Sequence, residues 1–99
     1  MTEMETKIAE LMNYFTGSRP EVSVHTNWDF DRRCWAFRFD ENHRFYLLKF
    51  THQVLDDYKV SQVIELLEKA NWRHVLDGLQ DGGAAIFTSQ GLKPEGSST

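Results

Sequence analysis

Residues 34–50, with the sequence CWAFRFDENHRFYLLKF, restrict the fold more than any other part of the chain. The polar segment Asp40-Glu41-Asn42-His43 separates two runs that are rich in aromatic and other apolar residues, and such runs are typical of β-strands. Two strands joined by a short polar turn predict a β-hairpin. Six aromatic residues lie in this hairpin: Trp35, Phe37, Phe39, Phe45, Tyr46 and Phe50.

An alternating run at residues 21–30 precedes the hairpin and is joined to it by the polar turn Asp31-Arg32-Arg33. Three consecutive strands with short turns predict an antiparallel meander. We expect helices to cover the face that carries Val22, Val24, Trp28, Trp35, Phe37, Phe39, Tyr46, Leu48 and Phe50. The other face carries His25, Asn27, Cys34, Arg38, Phe45, Leu47 and Lys49, although a one-residue shift in register would exchange the two sets.

The segment before the meander has the pattern of an amphipathic helix. Residues 2–5, TEME, fit a capping box, and apolar residues follow at helical spacing up to Phe15. Gly17 is placed to cap the C-terminus, and Pro20 prevents the helix from resuming. The sequence therefore predicts a helix over residues 3–16.

The segment after the meander has two apolar stripes that are about 150° out of phase on a single helix. This mismatch predicts a short helix at His52–Asp57 with Thr51 as its N-cap, a break at residues 59–61, and a main helix to residue 71. Residues 72–79 fit a further helical turn or two, and residues 84–88 fit a final strand. An alternative pairs a strand at residues 74–79 with residues 84–88 across Gly82-Gly83.

The predicted fold class is α+β: an N-terminal helix, a three-stranded antiparallel meander, a broken helical segment and a short final strand that can join the sheet edge. A chain of 99 residues is long enough for one core. We expect a single domain over residues 1–92, followed by a disordered polar tail at residues 93–99.

The charge and the cysteine content favour a cytoplasmic protein. The formal net charge is −4, and the single cysteine, Cys34, cannot form a disulfide within the chain. The N-terminus lacks the pattern of a signal peptide, and no apolar run approaches the ~18 residues of a membrane span. We therefore expect a soluble protein that does not associate with a membrane.

The residue types that carry chemistry do not form a recognisable motif. The closest His and Cys pairs are nine residues apart, unlike the short spacings of zinc sites, so we expect neither a metal nor another cofactor. Cys34 lacks a visible partner base, and Gly82-Gly83 lacks the context of a phosphate loop. The carboxylates Asp56, Asp57, Glu65 and Glu68 are interpreted as a solvated helix face. The sequence predicts no catalytic residue and favours a non-enzyme.

The leading functional hypothesis is a small protein-interaction or regulatory module that binds a protein partner or a second copy of itself. The predicted interaction face carries His25, Arg38, Phe45, Leu47 and Lys49. Apolar residues ringed by charge, on a face that the main core does not need, are the usual mark of a partner surface.

Two alternatives belong to other classes. The first is a nucleic-acid-binding domain that uses Arg32, Arg33, Arg38, Arg44 and Lys49, because cations next to an exposed ring on a sheet hold single strands. The order helix, three strands, helix also resembles the outline of the double-stranded RNA-binding fold, but the helix start that binds phosphates there falls on KVSQVIE at residues 59–65, with one lysine. The second alternative is a small ligand-binding protein or enzyme with a pocket between helix and sheet.

Overall fold

The computed structural model describes residues 2–31 and 33–95 of the chain. Its elements, in chain order, are α1 (Glu3–Ser18), β1 (Ser23–Asp29), β2 (Cys34–Glu41), β3 (Arg44–Thr51), α2 (His52–Asp57), α3 (Val60–Lys69), α4 (Trp72–Asp77), β4 (Gly83–Thr88) and β5 (Gly91–Glu95). The predicted α+β class is confirmed. The strands form a five-stranded sheet in the order β1-β2-β3-β4-β5.

The sheet has more strands and a different topology from the predicted three-stranded meander with one final strand. β1, β2 and β3 are antiparallel as expected, but β4 runs parallel to β3, and β5 pairs antiparallel with β4. The three helices between β3 and β4 carry the chain back to the start of β3, which is the connection that parallel strands require. The sequence suggested that β4 joins the sheet, but its direction follows from this crossover.

β5 corrects the prediction of a tail that starts at Lys93. Lys93, Pro94 and Glu95 form the second half of β5 and pair with Ile86, Ala85 and Ala84 of β4. The segment GLKPE has one large apolar residue and a proline, so it shows no alternation from which a strand can be predicted. Residues 96–99 of the predicted tail lie outside the described residues.

The predicted division of the meander into two faces is confirmed by the strand register. Val24 pairs with Phe39 and Phe39 with Tyr46, so these three side chains share the face on which the helices pack. Phe15 of α1 lies at the centre of this layer, with its ring centroid 5.2 Å from that of Phe37 and 5.1 Å from that of Trp72. Fully buried apolar residues from the helices complete the core: Leu11, Phe15, Leu55, Val63, Leu67, Trp72 and Leu76.

The helix predictions are confirmed in outline and corrected at their ends. The capping box between Thr2 and Glu5 is present, but α1 continues to Ser18, so Gly17 lies inside the helix and Arg19 is the C-cap. The break between α2 and α3 occurs at Tyr58 and Lys59, both of which have extended backbone. α3 ends at Lys69, two residues before the predicted end.

The alternative of a strand at residues 74–79 is wrong, because most of this segment belongs to the helix α4, whose residues Trp72 and Leu76 are buried in the core. None of the helices in the described part of the chain is both long enough and apolar enough to cross a membrane. The hairpin between β2 and β3 turns at Asn42 and His43, which have φ angles of 45° and 67°. Two consecutive residues with positive φ are typical of the two-residue turns that match the twist of antiparallel strands.

Candidate binding face of the sheet

The helices cover one face of the sheet, and the other face, here called the open face, carries the alternate residues of each strand. The register aligns His25, Arg38, Leu47 and Ala84 in one row across β1 to β4. The next row contains Asn27, Ala36, Lys49, Ile86 and Lys93. All five residues of the predicted interaction face, His25, Arg38, Phe45, Leu47 and Lys49, therefore lie on one surface.

The open face contains an open depression of about 700 Å³. Ala36, Phe45 and Leu47 supply its apolar surface, and Asp29 and Asp31 lie at the end of β1 on its border. All of the lining residues come from β1, β2, β3 and the two residues after β1, so the depression is built on the sheet and not between the sheet and the helices. This depression is therefore not the predicted pocket between helix and sheet, although a separate depression of about 540 Å³ is lined by residues of α4, β4 and β5.

Arg38 organises one side of the depression. Its guanidinium carbon lies 4.0 Å from the centroid of the Phe45 ring, within the range of a cation–π contact. Its Nε donates a hydrogen bond of 3.0 Å to Asp40 Oδ1, and His25 Nε2 lies 3.9 Å from Asp40 Oδ2. The Arg38 side chain remains half exposed, so it presents a positive group next to the apolar floor.

Lys49 is on the open face but is buried, with 8 % of its surface exposed. Its Nζ lies 2.6 Å from Glu95 Oε1, in an ion pair that spans β4 because β3 and β5 flank that strand. The side chains of Lys49 and Glu95 are 11 % and 21 % exposed. Burial of an ammonium group is costly without a partner. The carboxylate of Glu95 therefore offsets the cost of burying Lys49 and neutralises its charge.

The five cations of the nucleic-acid hypothesis do not come together in the described structure. Arg38 and Lys49 lie on the open face, each in an ion pair. Arg44 is on the helix side, where it donates to the carbonyls of Leu76 and Leu79 and lies 4.9 Å above the Tyr46 ring. Arg33 is in the turn between β1 and β2 with φ of 51°, and Arg32 lies outside the described residues.

The sequence did not predict two apolar residues of the open face, Ala84 and Ile86. Both are half-buried, and the register places Ala84 next to Leu47 and Ile86 next to Lys49. They extend the apolar strip from the depression across β4. All four residues of the segment AAIF at 84–87 are apolar, so the sequence has no signal that separates its two faces. In the structure Ala85 and Phe87 are buried on the helix side, while Ala84 and Ile86 are half-buried.

Phe30 is the most exposed large apolar residue described, with 83 % of its surface exposed. In the alternating run at residues 21–30, Phe30 is in phase with Val24 and Trp28. However, β1 ends at Asp29, whose Oδ1 accepts a 3.0 Å hydrogen bond from the amide of Asp31. This local turn stops the alternation before Phe30. The ring lies 6.2 Å from that of Trp28, at the border between the depression and a second one near His52.

The groups considered for catalysis are dispersed. Cys34 is fully buried in β2, and His43 lies in the hairpin turn. Across residues 2–31 and 33–95, no three His, Cys, Asp or Glu side chains are arranged to hold a metal ion. Glu68 is not simply part of a solvated face, because it accepts hydrogen bonds from Tyr14 and Arg73.

Comparisons with protein-family models, with curated proteins and with solved structures returned no match. The interpretation of the open face therefore depends on its own geometry. That geometry combines a concave apolar surface, an exposed arginine next to a ring, and a border that carries charges of both signs.

Proposed function

We propose that this protein is a non-enzymatic binding module whose open face holds a segment of a protein partner. The observation that carries the proposal is the depression of about 700 Å³ on the side of the sheet that the helices leave uncovered. Its apolar surface is bordered by Arg38, His25 and Asp29, which is the arrangement of an apolar interface centre with a polar rim. Isolated apolar residues are common on protein surfaces, but a concave group of them favours binding.

The chemistry of the depression favours a partner segment with apolar side chains. Leu47 and Phe45 offer apolar surface, and Leu47 lies next to the half-buried Ala84 of β4. The guanidinium of Arg38 is oriented over Phe45 and can donate to a carboxylate or a carbonyl of the partner. Asp29 and Asp31, on the opposite border, complement a basic residue of the same segment.

A nucleic acid is the less favoured ligand. Both open-face cations from the predicted set are already ion-paired, and the formal net charge of the chain is −4. Affinity for nucleic acid depends mainly on unpaired cations that contact phosphates. The Arg38–Phe45 stack is the one feature that suits a base, and the experiment below separates this outcome from the proposed one.

The test compares affinity purification with the wild-type chain and with Leu47→Asp and Phe45→Asp variants, after nuclease treatment. We expect the wild type to retain a protein partner and each variant to retain less than about one tenth of that amount. The reason is that a charge at the centre of an apolar interface is left without water or a counter-ion. The matched control is Leu66→Asp on α3, which makes the same substitution at an exposed leucine away from the open face.

The same variants decide between the ligand classes once circular dichroism shows that they are folded. Retention of the partner by both Leu47→Asp and Phe45→Asp would contradict the proposal. Salt-sensitive binding of a single-stranded oligonucleotide that is lost in Arg38→Glu, without any protein partner, would favour the nucleic-acid alternative instead.

A further inference from the structure

The two edges of the sheet are protected to different degrees. β5 has five residues and contains Lys93 and Pro94, and both a lysine and a residue without an N–H group hinder the addition of another strand. β1 has seven residues, Ser23–Asp29, and contains neither lysine nor proline. Every residue of β1 is paired with β2 in an unbroken register, so no bulge twists this edge away.

We propose that a second copy of this chain pairs antiparallel with β1, about a two-fold axis at Thr26. This register uses all seven residues of the strand. On the helix side, Val24 of one copy lies opposite Trp28 of the other, and on the open face His25 lies opposite Asn27. At the ends, Ser23 lies opposite Asp29, so no like charges meet within the strand pair.

The side chain of Thr26 supports the position of the axis. Its Oγ1 is buried and has no hydrogen-bond partner among the described residues, which is an unfavourable state for a hydroxyl group. At the axis, Thr26 of each copy lies opposite Thr26 of the other. Rotation about χ1 turns each hydroxyl outwards, so that the two threonines hydrogen-bond across the strands.

The burial of the remaining β1 residues also indicates an unfinished edge. Val24 belongs to the core face of the sheet but is only half-buried, whereas its register neighbour Phe39 in β2 is fully buried. Trp28 and its neighbour Trp35 are both half-buried on the same face. Phe30, 83 % exposed, directly follows β1. In the proposed register it lies next to the start of β1 of the second copy, which covers part of its ring.

The pairing has a consequence for the open face. A two-fold axis perpendicular to the sheet joins two five-stranded sheets into one of ten strands and keeps both open faces on the same side. The depression in each copy is lined by His25, Asn27 and Asp29 of β1. The two depressions therefore become neighbours, and a partner segment that crosses the axis contacts both.

The first experiment measures the mass of the purified chain by light scattering at about 100 μM. We expect twice the chain mass of 11.6 kDa for the wild type. The double variant His25→Lys/Asn27→Lys places lysine opposite lysine at both exposed pairs, and we expect it to be monomeric. The matched control is Ser89→Lys/Gln90→Lys, which adds the same charge at the exposed turn between β4 and β5 and should remain dimeric.

A second experiment distinguishes strand pairing from contact between open faces. Thr26→Cys should form a disulfide-linked dimer under mild oxidation, whereas Lys93→Cys on the other edge and the wild type, whose Cys34 is buried, should not. Leu47→Asp should remain dimeric, so this test is independent of partner binding. A monomeric wild type, or a dimer that is lost in Leu47→Asp and retained in His25→Lys/Asn27→Lys, would overturn the proposal.

Discussion

At the scale of single residues, Glu68 shows how position in the fold changes the chemistry of a side chain. It accepts hydrogen bonds from the Tyr14 hydroxyl and from Arg73, and the indole N–H of Trp72 donates to the Tyr14 oxygen at 2.9 Å. These interactions, chiefly the hydrogen bond from Tyr14, lower the pKa of the Glu68 carboxyl from 4.5 to about 2. Burial and the neighbouring Glu68 raise the pKa of Tyr14, so its hydroxyl remains protonated and continues to donate.

We predict that Glu68→Gln makes the stability of the protein less dependent on acid pH. Because the pKa of Glu68 is lower in the folded protein than in the unfolded chain, its charge stabilises the fold above about pH 4.5, and this contribution is lost as the pH falls towards 2. Thermal unfolding should therefore show a lower Tm for the variant at pH 7 and a smaller difference at pH 2.5. The control is Glu65→Gln, whose carboxylate is 68 % exposed in its pair with Lys69. An equal difference at both pH values would contradict the prediction.

The sequence showed which residues of the meander share a face, because alternation in a strand is a local property. It did not show which of these side chains are paired. Lys49 was predicted as an available cation, but its partner, Glu95, is 46 residues away in the chain. Such pairs depend on which strands become neighbours, and no local pattern contains that information.

At the scale of elements, the end of α2 depends on a side chain from α1. The break at Tyr58 and Lys59 leaves carbonyl groups of α2 without a following turn of helix. Lys7 Nζ donates to the carbonyl oxygens of Leu55 and Tyr58, the latter at 3.0 Å. On the helical period of residues 3–16, Lys7 falls on the side opposite the apolar residues, and in the structure it caps the end of α2.

We predict that Lys7→Met lowers the free energy of unfolding by about 1–3 kcal/mol, because two partly buried carbonyl groups lose a charged donor. Chemical denaturation monitored by tryptophan fluorescence measures the difference. Lys69→Met on α3 is the control, since its side chain is 71 % exposed, and we expect a change within about 0.5 kcal/mol for it. Equal effects of the two substitutions would show that Lys7 does not stabilise the end of α2.

The helices were predictable as elements because their apolar residues follow a helical period and their N-termini carry capping residues. The side chain of Thr51 caps α2 as the sequence indicates, and the phase change between two stripes located the break that follows. β5 was not predictable, because a five-residue edge strand with one large apolar residue has no periodicity. Residues 91–95 form a strand because they hydrogen-bond to β4.

At the scale of the whole molecule, β5 closes one edge of the sheet and holds the buried charge of the open face. Glu95 pairs with Lys49 across β4, and Leu92 packs against the core. The strand at the opposite edge, β1, contains neither a lysine nor a proline that would hinder the addition of another strand. Because only the β5 edge is protected, the proposed dimer uses the β1 edge. The proposed partner binds the open face, which neither edge covers.

We predict that truncation after Leu92 destabilises the protein, although the sequence assigned residues 93–99 to a tail. Loss of residues 93–95 removes the β5 partners of Ala84, Ala85 and Ile86 and leaves the ammonium of Lys49 without its counter-ion, at a cost of about 2 kcal/mol or more. The change is measured as a lower Tm of the 1–92 chain. Adding Lys49→Met to the truncated chain should restore part of the lost Tm. A truncated chain as stable as the wild type would show that the ion pair and the second half of β5 contribute little.

By itself, the sequence determined the α+β class, the division of the meander into two faces, the capped first helix and the broken helical segment. Each of these follows from periodicity or turn chemistry within about fifteen neighbouring residues. The tertiary structure decided the direction of β4, the presence of β5 and the pairing of Lys49 with Glu95. These features arise where distant segments pack side by side, and their free energy comes from contacts that local patterns do not encode.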